Sequence, residues 1–201
     1  MKAPAQPAVD LWAWRHPRAI GAAGRCIGRT DLAVDRRKAK RLAARIRQAA
    51  RRHGLPREIW TSPLRRAFEV GRVLRGWGWT HRVDERLLEL DFGRWDGRPW
   101  CEIAHAEVAL WEADFVHHAP GGGESQAELR LRIEQFLVAR SENDTGVSPA
   151  LVVTHAGWIG ALLSGGELDD AAHWPAPTPH MGLRRFRPDP SGRLRPLDRS
   201  L

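Results

Sequence analysis

Two histidines, two arginines and one carboxylate sit in this 201-residue sequence at points where short apolar runs come to an end. Trp14-Arg15-His16-Pro17 closes the first such run, and Thr154-His155-Ala156-Gly157 closes one near residue 150. Thr61-Ser62-Pro63-Leu64-Arg65-Arg66-Ala67 brings Arg65 or Arg66 to the same kind of boundary, and Glu89 lies in Leu87-Leu88-Glu89-Leu90-Asp91-Phe92-Gly93. A single histidine after a strand is weak evidence, because a satisfied core or surface imidazole looks the same. Two of them, with arginines at other strand ends, form a kit for moving a phosphoryl group without a metal. A neutral imidazole is a competent nucleophile near pH 7, and the guanidinium fork matches phosphate oxygens two at a time. A second imidazole can donate to oxygens that gain charge in the transition state, and a carboxyl can protonate the leaving oxygen.

Side chains so far apart in sequence need a scaffold that gathers them. Residues 9–14 read as a strand, 35–53 as an amphipathic helix, 58–61 as a strand, and 63–75 as a helix with Leu64, Phe68 and Leu74 inward. Residues 81–84 read as a strand, 124–140 as a helix with Leu129, Ile133, Phe136 and Leu137 inward, 150–154 as a buried strand and 182–187 as a last edge strand. Strand and helix in alternation predict an α/β three-layer sandwich with a mostly parallel central sheet and helices on both faces. In such sheets ligands bind beyond the carboxyl ends of the strands. The Trp- and His-rich stretch 99–118 breaks the rhythm and reads as a small helical cap over that edge. Ser125 and Glu128 fit the capping-box pattern that opens the next helix, which gives them a structural role. The whole chain, 1–201, reads as a single domain whose first eight residues are disordered.

The order Arg15-His16, Ser62-x-Leu64-x-Arg66-Ala67, Glu89-x-x-x-Gly93, Gly122-Gly123-Glu124-Ser125 and Thr154-His155 resembles the histidine phosphatase superfamily, which includes the phosphoglycerate mutase-like enzymes. The resemblance implies a phosphohistidine intermediate on His16, a phosphate pocket of Arg15, Arg66 and His155, and Glu89 as proton donor. Within the superfamily, residues 26–31, 111–115 and 119–125 are most similar to α-ribazole phosphatases of cobalamin biosynthesis, which implies α-ribazole 5′-phosphate as substrate. The sequence departs from the family pattern in three places. Pro17 follows His16 where the family has glycine; proline keeps the carbonyl that can orient the imidazole and loses only an N–H. The family's phosphate-binding asparagine is missing from residues 18–24, with Arg25 or Arg29 as candidate replacements. Arg52-His53-Gly54 spells the family triplet but lies at a helix end, with Gly54 placed as a C-terminal cap and Pro56 beyond it.

Composition narrows the class without choosing the substrate. The formal charge of +8 suits an enzyme for anionic substrates or a nucleic-acid binder. The densest basic run, 36–52, is the outer side of an amphipathic helix, so a small phosphorylated metabolite is the expected partner, not nucleic acid. Apolar runs fall well short of the ~18 residues a membrane span needs, and residues 1–8 lack the apolar core of a secretory signal. A cytoplasmic protein without membrane contact is expected. Cys26 and Cys101 have neither pairing nor metal-ligand spacing, and no metal or other cofactor is expected. Trp100, Trp111 and Trp158 are placed where indoles could stack on a flat heteroaromatic, although most of the ten tryptophans should pack the core. Three other readings compete with a phosphatase: a mutase-like phosphotransferase, a catalytically weak phospholigand-binding protein and a nucleic-acid-binding module suggested by charge alone. The short stretch between Gly93 and Gly121 favours the phosphatase. The oligomeric state is not legible.

Overall fold

The computed structural model describes residues 9–143, 149–165 and 171–197. The expectation for residues 1–8 lies outside them. The chain runs β1 (Leu11–Arg15), α1 (Arg36–His53), β2 (Glu58–Thr61), α2 (Arg65–Arg75), β3 (Thr80–Val83), α3 (His105–Ala113), α4 (Gln126–Asn143), β4 (Ala150–Thr154), α5 (Ala156–Leu163), β5 (Leu183–Pro188) and β6 (Leu194–Pro196), with short 3₁₀ turns between. The strands form one sheet in the order β3-β2-β4-β1-β5-β6. The first four are mutually parallel, while β5 runs antiparallel to β1 and to β6. This is the expected mostly parallel sandwich.

Strand β1 shows why both faces need helices. Trp12 and Trp14 pack with Leu42 and Ile46 of α1 and Val70 and Leu74 of α2, whereas Leu11 and Ala13 pack with Ile133 and Phe136 of α4 and Ile159 of α5. Alternate residues of one strand thus enter two cores, as a central parallel strand requires. Helix α1 begins where the Asp35 carboxylate accepts from Arg37 N at 2.7 Å and Lys38 N at 3.2 Å, and ends on Gly54 at φ 63°. The Arg52-His53-Gly54 triplet is therefore a helix terminus, and the His53 ring packs against Trp12 with centroids 5.1 Å apart.

Several sequence expectations are corrected. Strand β5 is not the edge, because β6 pairs outside it. Helix α2 starts at Arg65, and Phe68 is half-buried on its flank against His81, while Ala67, Val70 and Leu74 form the inner stripe. Glu124 lies outside α4: Ser125 and Glu128 form the reciprocal capping box, with Ser125 N donating to Glu128 at 2.8 Å and Glu128 N to Ser125 Oγ at 3.2 Å. Trp158 is fully buried and donates Nε1–H to the Arg86 carbonyl at 2.9 Å, so it is unable to stack on a ligand. Cys26 is buried under the cap with Trp95 and Ile103, and burial pushes its thiol up to about 12; Cys101 is exposed and unpaired. Among the described residues no helix is long and apolar enough to cross a membrane.

Candidate active site

The carboxyl ends of β1, β4 and β2 are stitched together by main-chain bonds. His16 N donates to Thr154 O at 3.0 Å and Ser62 N to Val153 O at 3.3 Å. Those two bonds bring the residues after β1, β4 and β2 to one edge of the sheet. Arg15, His16, Arg66 and Glu89 all line one cleft of about 630 Å³ there. The His155 ring lies against that of His16, with centroids 4.9 Å apart.

His16 is 6% exposed, and its Nδ1 lies 2.7 Å from the carbonyl oxygen of Pro17. A carbonyl only accepts, so Nδ1 carries the proton and Nε2 keeps its lone pair. This is the contact that proline at position 17 was expected to preserve. Burial, then the charges of Arg66 and Arg15, hold the His16 pKa well below 6.5, which leaves the ring neutral at pH 7. His155 is fully buried and is lowered by the same causes, burial first and Arg66 second. Its Nδ1 accepts from Arg66 Nε at 3.3 Å, so the proton sits on Nε2, which has no partner among the described residues.

Arg66, not Arg65, enters the site: it is 1% exposed, whereas Arg65 points to the surface. Its terminal nitrogens donate to Thr30 O at 2.7 Å and Gly28 O at 2.5 Å. With the bond to His155, three of the five donors of the fork are engaged and two remain. The far side of the 28–30 loop is held by Asp96, which accepts from Gly28 N at 3.1 Å, Thr30 N at 3.1 Å and Arg29 N. Arg15 donates to Thr178 O at 2.8 Å, and its Nε is buried with no partner among the described residues.

Glu89 is held by the start of α5. Its carboxylate accepts from Gly157 N at 3.1 Å, Trp158 N at 3.2 Å and its own neighbour Leu90 N at 3.0 Å. A Cβ on Gly157 would stand 2.5 Å from Glu89 Oε1, so only glycine permits this approach. Gly157→Ala should therefore displace the Glu89 carboxylate while leaving the helix intact, since alanine is the better helix former. The expected result is a fall in kcat of about 10- to 100-fold with little change in KM or melting temperature. An unchanged kcat would remove Glu89 from the chemistry.

Sequence reasoning missed three features. Arg132 of α4 donates to the carbonyls of Arg86 and Leu88, each at 2.8 Å, and Glu89, at 3.0 Å, and its Nε to Glu124 at 2.6 Å, clamping the segment that carries Glu89. Gln126 lines the cleft at 2% exposure, with its Oε1 unpartnered among the described residues. His180 also stands beside His16, with ring centroids 5.6 Å apart. No spacing in the sequence marks any of them. Of the arginines considered as replacements for the family's asparagine, Arg29 pairs with Asp91 at 3.5 Å and Glu124 at 3.6 Å and does not line the cleft. Arg25 does line it and donates one guanidinium N–H to Gly97 O at 2.8 Å. The outer wall is aromatic, with Phe92, Trp100, Trp111, Phe115 and Trp174.

Comparison with known proteins finds relatives named as phosphatases and as a mutase. A protein of Hydrogenobacter thermophilus named as a phosphoserine phosphatase is 31% identical over 109 residues, an alignment spanning 52% of this chain and 53% of that one. Glucosyl-3-phosphoglycerate phosphatase of Mycobacterium tuberculosis is 29% identical over 170 residues, covering 74% of this chain and 76% of its own. A solved structure of the mycobacterial enzyme with VO3 superposes with a TM-score of 0.73 at 26% identity, over 95% of this chain and 98% of that one. A protein of Yersinia pestis named as a phosphoglycerate mutase, GpmB, is 30% identical over 165 residues, covering 78% of this chain and 74% of its own. The family model of the histidine phosphatase superfamily, branch 1, matches residues 11–194, and the chain belongs to that superfamily.

Proposed function

We propose that the chain is a metal-independent phosphomonoesterase that works through a phosphohistidine on His16. One observation carries the reading: a buried, neutral imidazole is held through Nδ1 by the Pro17 carbonyl beside Arg66 and His155, so that Nε2 keeps its lone pair. In the first step Nε2 attacks phosphorus in line with the ester oxygen; the P–N bond forms as the P–O bond breaks. Arg15, the two remaining donors of Arg66 and the Nε2–H of His155 offset charge on the equatorial oxygens. Glu89 gives its proton to the leaving oxygen, then takes one from the water whose oxygen displaces His16 from phosphorus. The relatives named as phosphatases support release to water over return to the substrate, as does a cap with a single nine-residue helix.

For the substrate, α-ribazole 5′-phosphate is the ester we propose. Phe92, Trp100 and Trp111 line the same cleft as Arg15 and Arg66, which supports a phosphate ester with a flat heteroaromatic group. Phosphate release from this ester, beside phosphoserine, phosphoglycerates and 4-nitrophenyl phosphate, tests both levels of the reading. Preferred turnover of the ribazole ester is expected, and rates within twofold in excess chelator, because the phosphoryl charge is met by Arg15, Arg66 and His155. Preference for phosphoserine or a phosphoglycerate would overturn the substrate and keep the mechanism. Loss of all activity in chelator would overturn the metal-free mechanism, and transfer between phosphoglycerates with little free phosphate would make the protein a mutase.

A further inference from the structure

His180 belongs to no element that the mechanism above uses, yet it flanks the nucleophile. It lines the same cleft as Arg15, His16 and Arg66, and its Nδ1 lies 3.2 Å from the carbonyl oxygen of His16. That oxygen can only accept, so the neutral His180 ring carries its proton on Nδ1 and a lone pair on Nε2. We propose that His180 is a proton-binding member of the phosphoryl site: as a dianionic phosphoryl group enters, Nε2 takes a proton from solvent and donates it to a phosphoryl oxygen. This rests on the reading of the cleft as a phosphate site.

The placement of the ring is enforced by its surroundings. Met181 N donates to Arg15 O and Arg15 N to Gly182 O, each at 3.0 Å, and Gly182 N closes the turn on Pro179 O at 2.8 Å. Among the described residues Met181 is the one non-glycine with a left-handed φ, 64°. Such a conformation is strained for a residue with a side chain and persists only where the contacts around it over-determine it. The same loop supplies Thr178 O to the Arg15 guanidinium at 2.8 Å. One strained turn thus fixes both His180 and Arg15 against the end of β1.

The groups facing His180 are Arg15 and His16 at the end of β1, Arg18 just beyond and Lys38 from α1. Burial first, then Arg15, lower its pKa, while the His16 carbonyl opposes them, so the ring is neutral near pH 7 when the cleft holds no anion. A dianion beside it adds the attraction that the neighbours withhold, which favours the protonated ring. His16 and His155 are each enclosed against the Arg66 charge. His180 is only half-buried, so charging it costs less desolvation than charging either of them.

Sulfate tests this cleanly, because it stays a dianion from pH 6 to 8 and any pH dependence belongs to the protein. Calorimetry on the whole chain in buffers of different ionisation enthalpy should show proton uptake on sulfate binding. Affinity should be about three- to sixfold weaker at pH 8 than at pH 6, short of the tenfold that a one-unit pKa rise on binding gives over its full range. His180→Asn keeps an amide donor for the His16 carbonyl and is unable to take a charge; its affinity should be flat across this range, equal to wild type at pH 8, with no uptake. His180→Gln, made in parallel in case the first variant does not fold, should behave the same way. Undiminished uptake in a folded variant would assign the proton to His16 or His155 and overturn the proposal. Sulfate binding without uptake in the wild type would overturn it and leave the phosphate site standing. Failure to bind sulfate, with turnover of 4-nitrophenyl phosphate intact, would overturn it alone; failure of both would overturn the phosphatase reading as well.

Discussion

His16→Ala is expected to reduce turnover of 4-nitrophenyl phosphate by at least about 10⁴-fold, the scale on which enzymes lose activity when their nucleophile is deleted. Neither the second imidazole of the phosphate pocket nor the carboxyl can take its place. His155 spends Nδ1 on Arg66 and presents an N–H, not a lone pair, at Nε2. Glu89 lines the cleft, but its oxygens accept from the amides at the start of α5, which makes the carboxylate a poor nucleophile. The substitution also leaves little behind to destabilise the fold, because the main-chain bond from residue 16 to Thr154 O does not depend on the side chain. Retained secondary structure and melting temperature should accompany the loss. A companion measurement uses pH. Since burial and Arg66 hold His16 well below 6.5, the wild-type kcat/KM should not decline on the acid side as pH falls from 7.5 to 6. A decline centred near 6.5 would mean that the nucleophile is an ordinary exposed imidazole. Residual turnover in the purified variant above a few per cent of wild type would sink the phosphohistidine mechanism.

Arg66→Lys should cost about 10²- to 10³-fold in kcat/KM although the positive charge is kept. The guanidinium reaches three partners at once, Gly28 O, Thr30 O and His155 Nδ1, and still has two N–H groups to offer a phosphoryl oxygen. An ammonium group has three donors and no fork, so it can serve the loop or the substrate but not both. Two of the former acceptors are left without a partner in a buried place, which should lower stability by about 1–3 kcal/mol. His155 also loses the bond that fixes its tautomer, so part of the effect on rate comes through the neighbour. Kinetics and thermal unfolding on the same preparation separate the two effects. Arg65→Ala, one position earlier and on the surface, is the control and should change kcat/KM by less than twofold. If Arg66→Lys also stayed within threefold of wild type, the guanidinium fork would have no part in holding the phosphoryl group.

Some of this could be read directly from the chain. Gly54 marks the end of α1 because a cap acts on carbonyls within a few residues of itself. The same local logic exposed Arg52-His53-Gly54 as a helix end and predicted the Ser125–Glu128 box. The histidine after each of the two buried strands was legible because parallel strands put their carboxyl ends on one edge, whatever intervenes in sequence. Even the role of Pro17 followed from its chemistry, since the carbonyl that holds His16 belongs to the adjacent residue.

The rest depended on distance in sequence. Phe68 fits the helical period, yet it lies on the flank because β3, not the sheet centre, covers that side of α2. Trp158 looked available to a ligand until the packing against Phe136 and the bond to Arg86 placed it in the core. Arg29 was a candidate for phosphate until Asp91 and Glu124, more than sixty positions away, claimed its charge. His180 meets His16 across a separation of 164 residues, and Arg132 grips the carbonyl of Glu89 across 43. The sequence by itself determined most of the elements, though neither α5 nor β6, and which side chains end the central strands, since periodicity, caps and turns are interactions among near neighbours. Which arginine faces the substrate, which is neutralised by a carboxylate and which third imidazole guards the nucleophile were decided only by the tertiary structure, because each of those outcomes is a contact between segments whose meeting leaves no periodic trace in either.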